Sequence, residues 1–304
     1  YEATNLTKIT ISTTIDKIGY ETFYGCSKLK NITVDPENKN FIVDGNGFLR
    51  NRIEKDVDDG TGNMVRTGVA GSDLYCVPAG KTSSTVVLTI PADVKTIKNY
   101  ACSPINSKEV VFASDIANEN YGVEKIGSYG FYNSKNLEKI TYSPYTNDVG
   151  DLAFNYCDKL KTVIATDNNT IYASDEDDAV YLLNGKGEKV TLVMRLPGST
   201  KTSYVLPETV KNIRGGAFRK NVNLVEIDLT QGKGTNGGGA LTTLSGSYTF
   251  SGCSKLKELY LPENITSMST GELCSGCTNL EKVIFKTTGF TSFGWGTFIN
   301  CKSL

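Results

Sequence analysis

One motif recurs along the chain and restricts its fold more than any other feature. An aromatic residue or a cysteine, here called the anchor, stands six residues before a leucine in seven copies: Phe23/Leu29, Phe131/Leu137, Phe154/Leu160, Phe218/Leu224, Phe250/Leu256, Cys274/Leu280 and Phe298/Leu304. A unit of roughly 23–24 residues has too little apolar area to fold alone, so each unit must stack on its neighbours. The sequence therefore predicts one solenoid domain over residues 1–304.

Apolar residues on either side of the motif predict the strands. After Leu137, Ile140 and Tyr142 follow at plus three and plus five. Residues two apart point to one face of a strand, so one face is core and the other solvent. An upstream apolar pair, such as Val123 and Ile126, predicts a second short extended edge. The segment between these edges is too short for a proper helix, and we predict a single helical or 3₁₀ turn there.

Two stretches, about 36–88 and about 166–203, interrupt the array. Each contains alternating runs around turn residues, Asp44-Gly45-Asn46-Gly47 in the first and Asn184-Gly185-Lys186-Gly187 in the second. Such turns are strong hairpin signals. We therefore predict β-hairpins that continue the stack.

A degenerate copy occupies residues 99–112. It places Ala101 and Ser107 at the anchor and leucine positions and recovers the strand pattern at Val110 and Phe112. We therefore expect local irregularity there within an unchanged fold.

The chain contains no histidine, which excludes mechanisms that need an imidazole near its working pKa. Thirty-two basic and 33 acidic residues give a net charge of −1, so steering toward nucleic acid is not expected. No apolar run approaches the roughly 18 residues of a membrane span. We expect a protein that is not an enzyme and uses no cofactor. The repeat pattern is incomplete at both ends, so we expect any leader peptide or cell-surface attachment segment to lie outside this chain.

Five of the eight cysteines share one place in the motif, three residues after the anchor: Cys26, Cys157, Cys253, Cys277 and Cys301. Asparagine or serine stands there in other copies, so we interpret the position as a small buried donor to backbone groups. Cys274 and Cys277 also have the spacing of a metal or redox pair, but no second pair or histidine completes four zinc ligands. Cys76 and Cys102 are the candidates for a disulfide.

Three other motifs have ordinary interpretations. Residues 232–237 match G-x-G-x-x-G, but the next repeat follows instead of a helix, which favours an inter-repeat loop over a phosphate site. The acidic runs 56–59 and 175–178 do not fit an EF-hand and favour solvated hairpin tips over a weak calcium site. The sequence shows no marked pair of carboxylates that would indicate a glycosidase. We therefore predict no metal site and no catalytic residues.

The repeat resembles the leucine-rich repeats of BspA-like bacterial surface proteins. That family carries an Ala-Phe-x-x-Cys-x-x-Leu-x-x-Ile-x-Ile core, which stands here at Phe250, Cys253, Leu256, Leu259 and Leu261. The resemblance implies a β-rich α/β fold, a right-handed solenoid of short strands and single helical turns with β-hairpin insertions. It also implies a secreted or surface-exposed adhesin that binds host extracellular proteins or other cells.

In a solenoid, the solvent-facing positions of stacked strands form a recognition surface. The candidates here are Thr141, Ile164, Asp228, Tyr260 and Ile284 between the core positions, and Lys139, Glu226, Glu258 and Lys282 two residues earlier. Three of them are apolar where solvent is expected, which can mark a partner site. The hairpin tips are the competing site. The alternative function is a carbohydrate-binding module that uses exposed tyrosine and asparagine side chains.

Overall fold

A computed structural model of the protein describes residues 3–115, 121–166, 168–231, 240–269, 271–286 and 292–304. These residues form a β-solenoid of about 11 turns with almost no helix. The chain falls into two compact units, Tyr1–Cys157 (unit 1) and Asp158–Leu304 (unit 2). The predicted repeat solenoid is confirmed, whereas a single domain and a right-handed coil remain predictions.

Unit 1 builds its sheets from short strands that pair with the equivalent strand of the next coil. Its strands are β1 (Lys8–Ile11), β2 (Asn31–Val34), β3 (Phe41–Val43), β4 (Leu49–Asp58), β5 (Met64–Cys76), β6 (Leu88–Ile90), β7 (Thr96–Ile97), β8 (Glu109–Phe112), β9 (Lys125–Ile126), β10 (Lys139–Thr141) and β11 (Asp148–Val149). One sheet has the order β11-β9-β7-β5-β4-β3; β6, β8 and β10 form a second, and β1 and β2 a third.

Unit 2 repeats this arrangement. Its strands are β12 (Thr162–Ile164), β13 (Tyr172–Ser174), β14 (Ala179–Leu183), β15 (Lys189–Arg195), β16 (Ser203–Val205), β17 (Asn212–Arg214), β18 (Glu226–Asp228), β19 (Thr243–Ser245), β20 (Glu258–Leu261), β21 (Ser267–Met268) and β22 (Lys282–Phe285). One sheet has the order β13-β14-β15-β17-β19-β21, and the pairs β16-β18 and β20-β22 form the opposite side of the coil.

Both predicted strand positions of the repeat are confirmed. The strands that follow the leucine position of each coil form what we call the main wall of a unit, and the strands before the anchor form its second wall. Val110 pairs with Ile140 in parallel register on the main wall, and Ile97 pairs with Ile126 on the second wall. All four side chains are buried, while the residues beside them in the strands are more exposed. The period-two alternation therefore places one face of each strand in the core.

The predicted helical turn is not what forms between the walls. Tyr129 and Asn133, two residues to either side of the anchor Phe131, have φ values of 58° and 60°. A helical turn needs right-handed values throughout, so each coil instead makes successive tight turns. Within the described ranges, the sole helix is a 3₁₀ helix at Ala79–Lys81. The α/β assignment and the single helical turns are therefore not confirmed.

Left-handed residues turn the backbone amides of each coil toward the next one. The amides of Tyr129, Phe131 and Asn133 donate to the carbonyls of the following coil at distances of 3.3, 2.8 and 2.9 Å. Unit 2 repeats this with Tyr248, Phe250 and Gly252 at 3.0, 2.8 and 2.7 Å. We call this array the turn ladder. It satisfies buried amides that neither strand wall can reach.

The degenerate copy is shifted by one residue from its prediction. In regular copies the anchor amide donates to the carbonyl of the residue just before the next anchor. Here the amide that donates to the Gly130 carbonyl, at 2.8 Å, is that of Cys102 and not that of Ala101. Cys102 is therefore the anchor. Ser107 is buried at the leucine position as predicted. The copy has one residue fewer between anchor and leucine position, and its turn contains a cis peptide bond at Ser103-Pro104.

Both predicted hairpins are confirmed. β3 pairs antiparallel with β4 around Asp44, and β14 pairs with β15 around Asn184. In each turn the side-chain oxygen of the first residue accepts two backbone amides, at 2.9 and 3.0 Å from both Asp44 and Asn184. β5 and β15 then pair in parallel with β7 and β17, so both hairpins continue the stack.

The anchors form an apolar spine within each unit. The rings of Phe131 and Phe154 stack with centroids 5.4 Å apart, and those of Phe218 and Phe250 stack at 5.3 Å. Leu256, like the other motif leucines from Leu29 to Leu280, is buried beside them. The predicted packing of each coil on the last is therefore confirmed inside both units.

Candidate functional site

The candidate surface in unit 2 is carried by four short strands of the main wall. Val205, Asp228, Tyr260 and Ile284 stand on β16, β18, β20 and β22, each at the solvent-facing position between core residues. Val205 lies opposite Asp228 in the parallel register, and Tyr260 lies opposite Ile284. β18 packs next to β20. These four residues are called the strand face of unit 2.

The strand face is mostly apolar around one carboxylate. Val205 is 54 % exposed, and Tyr260 and Ile284 are half-buried. Asp228 is half-buried, and its Oδ1 accepts the Thr230 amide at 2.7 Å and the Thr230 hydroxyl at 2.6 Å. These bonds hold the carboxylate in a fixed direction, so the face offers a preset acceptor among apolar groups.

Charged candidates flank this face. Glu226, Glu258 and Lys282 are exposed on the same strands two residues earlier, and Lys282 stands opposite Glu258 in the register. With Asp228 included, this surface carries three acidic groups and one basic group. An interface with a polar rim of this kind selects partners by charge while its apolar centre supplies contact area.

The candidates of unit 1 form a separate patch. Thr141 lies on β10 opposite Val111, and Lys139 lies opposite Glu109 with an Nζ to Oε1 distance of 2.8 Å. That ion pair neutralises the charge of Lys139. The unit 1 face is therefore more polar and less charged than the strand face of unit 2.

The strand positions of Ile164 and Val205 change which residues belong to the strand face. Ile164 is 37 % exposed on β12, outside the four strands that carry the strand face. Val205 was missed because its coil carries no leucine motif. The alternation of buried Tyr204 and Leu206 around it, followed by Pro207, was the available signal.

Unit 1 also carries a cluster of half-buried tyrosines on its turn ladder. Tyr24, Tyr100, Tyr129, Tyr132 and Tyr156 lie with neighbouring ring centroids 5.0 to 5.9 Å apart. These five residues are called the tyrosine cluster. Burial, and then a hydrogen bond to the nearby Glu21, raises the pKa of Tyr100. The hydroxyl therefore remains protonated and donates to that carboxylate.

The cysteines at the third position after the anchor act as predicted. The Sγ atoms of Cys157, Cys253 and Cys277 lie 3.1, 3.0 and 3.0 Å from the anchor carbonyl of the preceding coil. Ser134 and Asn221 make the same bond, to Cys102 and Arg195. All eight cysteines are free thiols, Cys76 and Cys102 included. In these copies the cysteine is a turn donor that joins consecutive coils, whereas Cys26 lies 4.0 Å from the Tyr24 carbonyl of its own coil.

Burial makes the folded state depend on the Cys253 thiol staying protonated. Burial raises the pKa of Cys253 well above 9, whereas an unfolded thiol titrates near 8.5. The folded protein then holds more protons, so its free energy of unfolding falls as pH rises above about 8.5. Each such thiol contributes up to about 1.4 kcal/mol per pH unit.

We expect Cys253→Ser to flatten this pH dependence, because serine keeps the turn donor without titrating. Urea unfolding under reducing conditions, measured below and above the thiol pKa, compares the two slopes. Lys211→Ala, at an exposed position, is the control and should leave the slope as in the wild type. Identical slopes in Cys253→Ser and the wild type would contradict a protonated buried thiol.

The acidic runs find donors within the protein. Asp175 Oδ1 accepts two backbone amides and its Oδ2 lies 2.7 Å from Lys189 Nζ, while Asp177 pairs with Lys201 at 3.1 Å. In the part of the chain that the structure describes, no group of three or more Cys, Asp or Glu residues is arranged to hold a metal ion. The G-x-G-x-x-G stretch, residues 232–237, lies outside the described residues.

No helix within the described ranges combines the length and apolar character that crossing a membrane requires.

A model of BspA type leucine-rich repeat regions matches the sequence in six copies, over residues 1–51, 81–175 and 198–304. The chain belongs to the BspA-type leucine-rich repeat family. Membership of this bacterial type of leucine-rich repeat suggests that the chain is a protein-binding scaffold. Solenoids of the family are generally non-catalytic. The matched ranges leave out residues 52–80 and 176–197, which contain most of the hairpin strands.

Solved structures similar to this BspA-type chain include other bacterial repeat proteins. A leucine-rich repeat protein from Eubacterium ventriosum is 24 % identical over 94 % of this chain and 61 % of its own, with a TM-score of 0.49. A leucine rich cell surface protein from Faecalibacterium prausnitzii is 16 % identical over 98 % and 78 %, with a TM-score of 0.47. The pneumococcal vaccine antigen PcpA is 15 % identical over 86 % of both chains, with a TM-score of 0.43.

This chain thus spans less than two thirds of the Eubacterium protein. No curated protein matches the BspA-type sequence.

Proposed function

We propose that this BspA-type protein is a non-catalytic scaffold, secreted or held at the bacterial cell surface, that binds host extracellular proteins or other cells. Its membership of the family supports a binding role. The absence of histidine from the sequence removes the imidazole mechanisms of hydrolysis. The strand face of unit 2 is the proposed binding surface, with Lys139 and Thr141 of unit 1 and Ile164 as further candidates.

The observation that carries this choice is the apolar exposure of three strand-face residues. Val205, Tyr260 and Ile284 are solvent-facing on strands of one wall, where charged or hydroxyl side chains are usual. Tyrosine at the centre of a patch is a frequent hot spot, because its large ring buries much area with few rotatable bonds. The flanking Glu226 and Glu258 favour a partner with basic residues.

We expect Tyr260→Ala together with Ile284→Ala to weaken binding to the protein's partner by at least about tenfold, the effect of one lost hot spot. The measurement is surface plasmon resonance of the wild-type chain against a panel of purified extracellular-matrix proteins, followed by the variant. Lys186→Ala at a hairpin tip is the matched control and should bind as the wild type does. If only the Lys186 variant loses affinity, the hairpin tip is the site. Failure of the wild type to bind any panel member or a neighbouring cell would refute the adhesion proposal.

The tyrosine cluster supports a second candidate function, recognition of carbohydrate. Each ring offers an apolar face and a polar hydroxyl, a combination that matches the CH faces and hydroxyls of a sugar. The same protein on a glycan array distinguishes the two functions. Hits that disappear in Tyr132→Ala, but persist in the strand-face double variant, would favour carbohydrate. An array without hits would remove this candidate.

A further inference from the structure

The first hairpin region contains a two-stranded extension with free edges. β4 and β5 remain paired in antiparallel register from Ile53↔Val69 to Asp58↔Met64. The sheet neighbours on either side end before this point: β3 reaches Asn51 on β4, and β7 pairs with β5 at Asp73 and Leu74. Within the part of the chain that the structure describes, residues 53–58 and 64–69, here called the ribbon, thus have one strand neighbour each. The family match leaves out the whole ribbon.

The outer edge of β4 can be assigned residue by residue. The Arg52 amide points away from β5, because it donates to the Asn40 carbonyl at 2.8 Å. The register from Arg52 to Asp58 has no shift, and backbone direction alternates along a strand. The amides and carbonyls of Glu54, Asp56 and Asp58 therefore point outward as well, toward an edge that is open to another strand.

The two faces of the ribbon differ in chemistry. Residues that pair directly, and residues two apart along a strand, share a face, so Ile53, Val57 and Val65 lie on one face together with Lys55. The three aliphatic side chains are 44 %, 37 % and 48 % exposed. On the β4 side of the opposite face stand Glu54 and Asp56, followed by Asp58. β4 thus presents three carboxylates on one face, and two aliphatic side chains with Lys55 between them on the other.

The carboxylates of Glu54 and Asp56 remain available to a partner's cations, whereas Asp58 Oδ1 already accepts the amides of Gly60 and Gly62 at 2.8 and 3.0 Å. Arg52 contacts Glu54 at 3.1 Å, and Arg66 contacts Asp56 at 3.5 Å. The Arg66–Asp56 pair is more than half exposed on both sides, and exposed pairs of this kind contribute little and exchange readily. A basic side chain of an added strand could therefore replace Arg66 beside Asp56 at small cost.

A second copy of the chain is not the occupant that these dimensions favour. Three half-exposed aliphatic side chains offer far less than the ~800 Å² per partner of a stable interface. Strand addition needs less area, because main-chain hydrogen bonds supply part of the affinity and alternate side chains supply the specificity. The open edge and the two unlike faces both fit this mode.

We propose that the outer edge of β4 accepts an extended segment of a partner protein in which basic and apolar residues alternate. The basic side chains lie beside Glu54, Asp56 and Asp58, and the apolar ones lie beside Ile53 and Val57. This site is in unit 1 and is independent of the strand face of unit 2.

The test uses the full chain and a short synthetic peptide of alternating lysine and valine. Hydrogen exchange followed by NMR should show slower exchange at the outward amides of Glu54, Asp56 and Asp58 when the peptide binds. The inward amides of Lys55 and Val57 already pair with β5 and should change little. A peptide of alternating glutamate and valine, with the same backbone and apolar content, should bind at least about tenfold more weakly.

Two substitutions at one position separate backbone pairing from charge. Asp56→Pro removes an outward amide, a change that a strand edge tolerates. It should weaken binding of the lysine peptide about tenfold, because edge hydrogen bonds are lost. Asp56→Asn keeps the amide and should weaken it only about threefold. Unchanged thermal unfolding of both variants shows that the fold is intact.

The outcomes are distinct from those of the adhesion proposal. The strand-face variant Tyr260→Ala/Ile284→Ala should bind the lysine peptide as the wild type does. Protection of amides elsewhere, equal binding of the two peptides, or full affinity in Asp56→Pro would each overturn strand addition at β4. The wild-type exchange measurement decides the matter even if the proline variant does not fold.

Discussion

Replacing Phe131 with alanine should lower the free energy of unfolding by about 3–5 kcal/mol. The ring is fully buried and stacks between Phe112 at 6.2 Å and Phe154 at 5.4 Å. Alanine removes the contacts to both coils and leaves a cavity, because the turn ladder fixes the backbone on either side. Urea unfolding of the purified chain measures the loss.

Lys135→Ala is the matched control for this prediction. Lys135 lies in the same turn and is exposed, so its removal should change the free energy of unfolding by less than about 0.5 kcal/mol. A Phe131→Ala variant as stable as the Lys135→Ala variant would mean that the anchors do not carry the packing between coils.

Replacing Arg195 with alanine should lower the free energy of unfolding by about 2–5 kcal/mol, the range for truncating a large buried side chain. Arg195 is only 1 % exposed. Its guanidinium donates to Asn221 Oδ1 at 2.7 Å and to the Lys201 carbonyl at 2.9 Å, and lies 5.7 Å from the centre of the Tyr204 ring. Truncation leaves a cavity and removes the donor to the buried Asn221 Oδ1 and to the part-buried Lys201 carbonyl. A buried acceptor left without a donor costs its desolvation.

The position of Arg195 explains why this charge is buried. Its amide donates to Ala217 at 2.7 Å, the bond that anchors such as Phe131 make to the next coil. Arg195 therefore occupies the anchor position at the start of the second array. Burial lowers its pKa, and a guanidinium keeps its charge inside proteins.

Two further variants sharpen the Arg195 prediction. Arg195→Lys should not restore stability, because a lysine cannot reproduce the planar fork that reaches both acceptors. Arg195→Met keeps most of the volume and should cost less than alanine. Chemical unfolding of the three variants gives the order. An alanine variant within about 1 kcal/mol of the wild type would show that the guanidinium has no structural role.

Spacing predicted the parts of the fold that depend on apolar burial. The anchor and leucine pattern located the spine, and the plus-three and plus-five pattern located β8, β10, β18, β20 and β22. These elements follow directly from period-two alternation, since one face must be buried. The hairpins were predictable for the same reason, with Asp44 and Asn184 opening their turns.

The turn ladder was not predicted, because left-handed residues leave a weak trace in sequence. Glycine or asparagine stands two residues after several anchors, as at Gly252 and Asn133, and this was the usable signal. Tyr129 and Tyr248 adopt the same left-handed conformation without any such mark. Their conformation is imposed by the hydrogen bonds between coils, which a single repeat does not encode.

Residues that depart from the motif were also missed. Arg195 stands 23 residues before Phe218, the same interval that separates Phe131 from Phe154, but its charge argued against a buried anchor. For the candidate site, alternation identified Tyr260 and Ile284 as solvent-facing, whereas Val205 required the strand pairing. The tyrosine cluster and the open edge of β4 depend on contacts between coils and strands that sequence patterns do not specify.

A crystal structure of the chain tests the central claim, that successive coils of each unit share one stacked spine. We predict ring centroids about 5.3 Å apart for Phe218 and Phe250, and about 5.4 Å apart for Phe131 and Phe154, with all four rings dry. Rings that point away from one another, or that contact ordered water in place of the next coil, would contradict it.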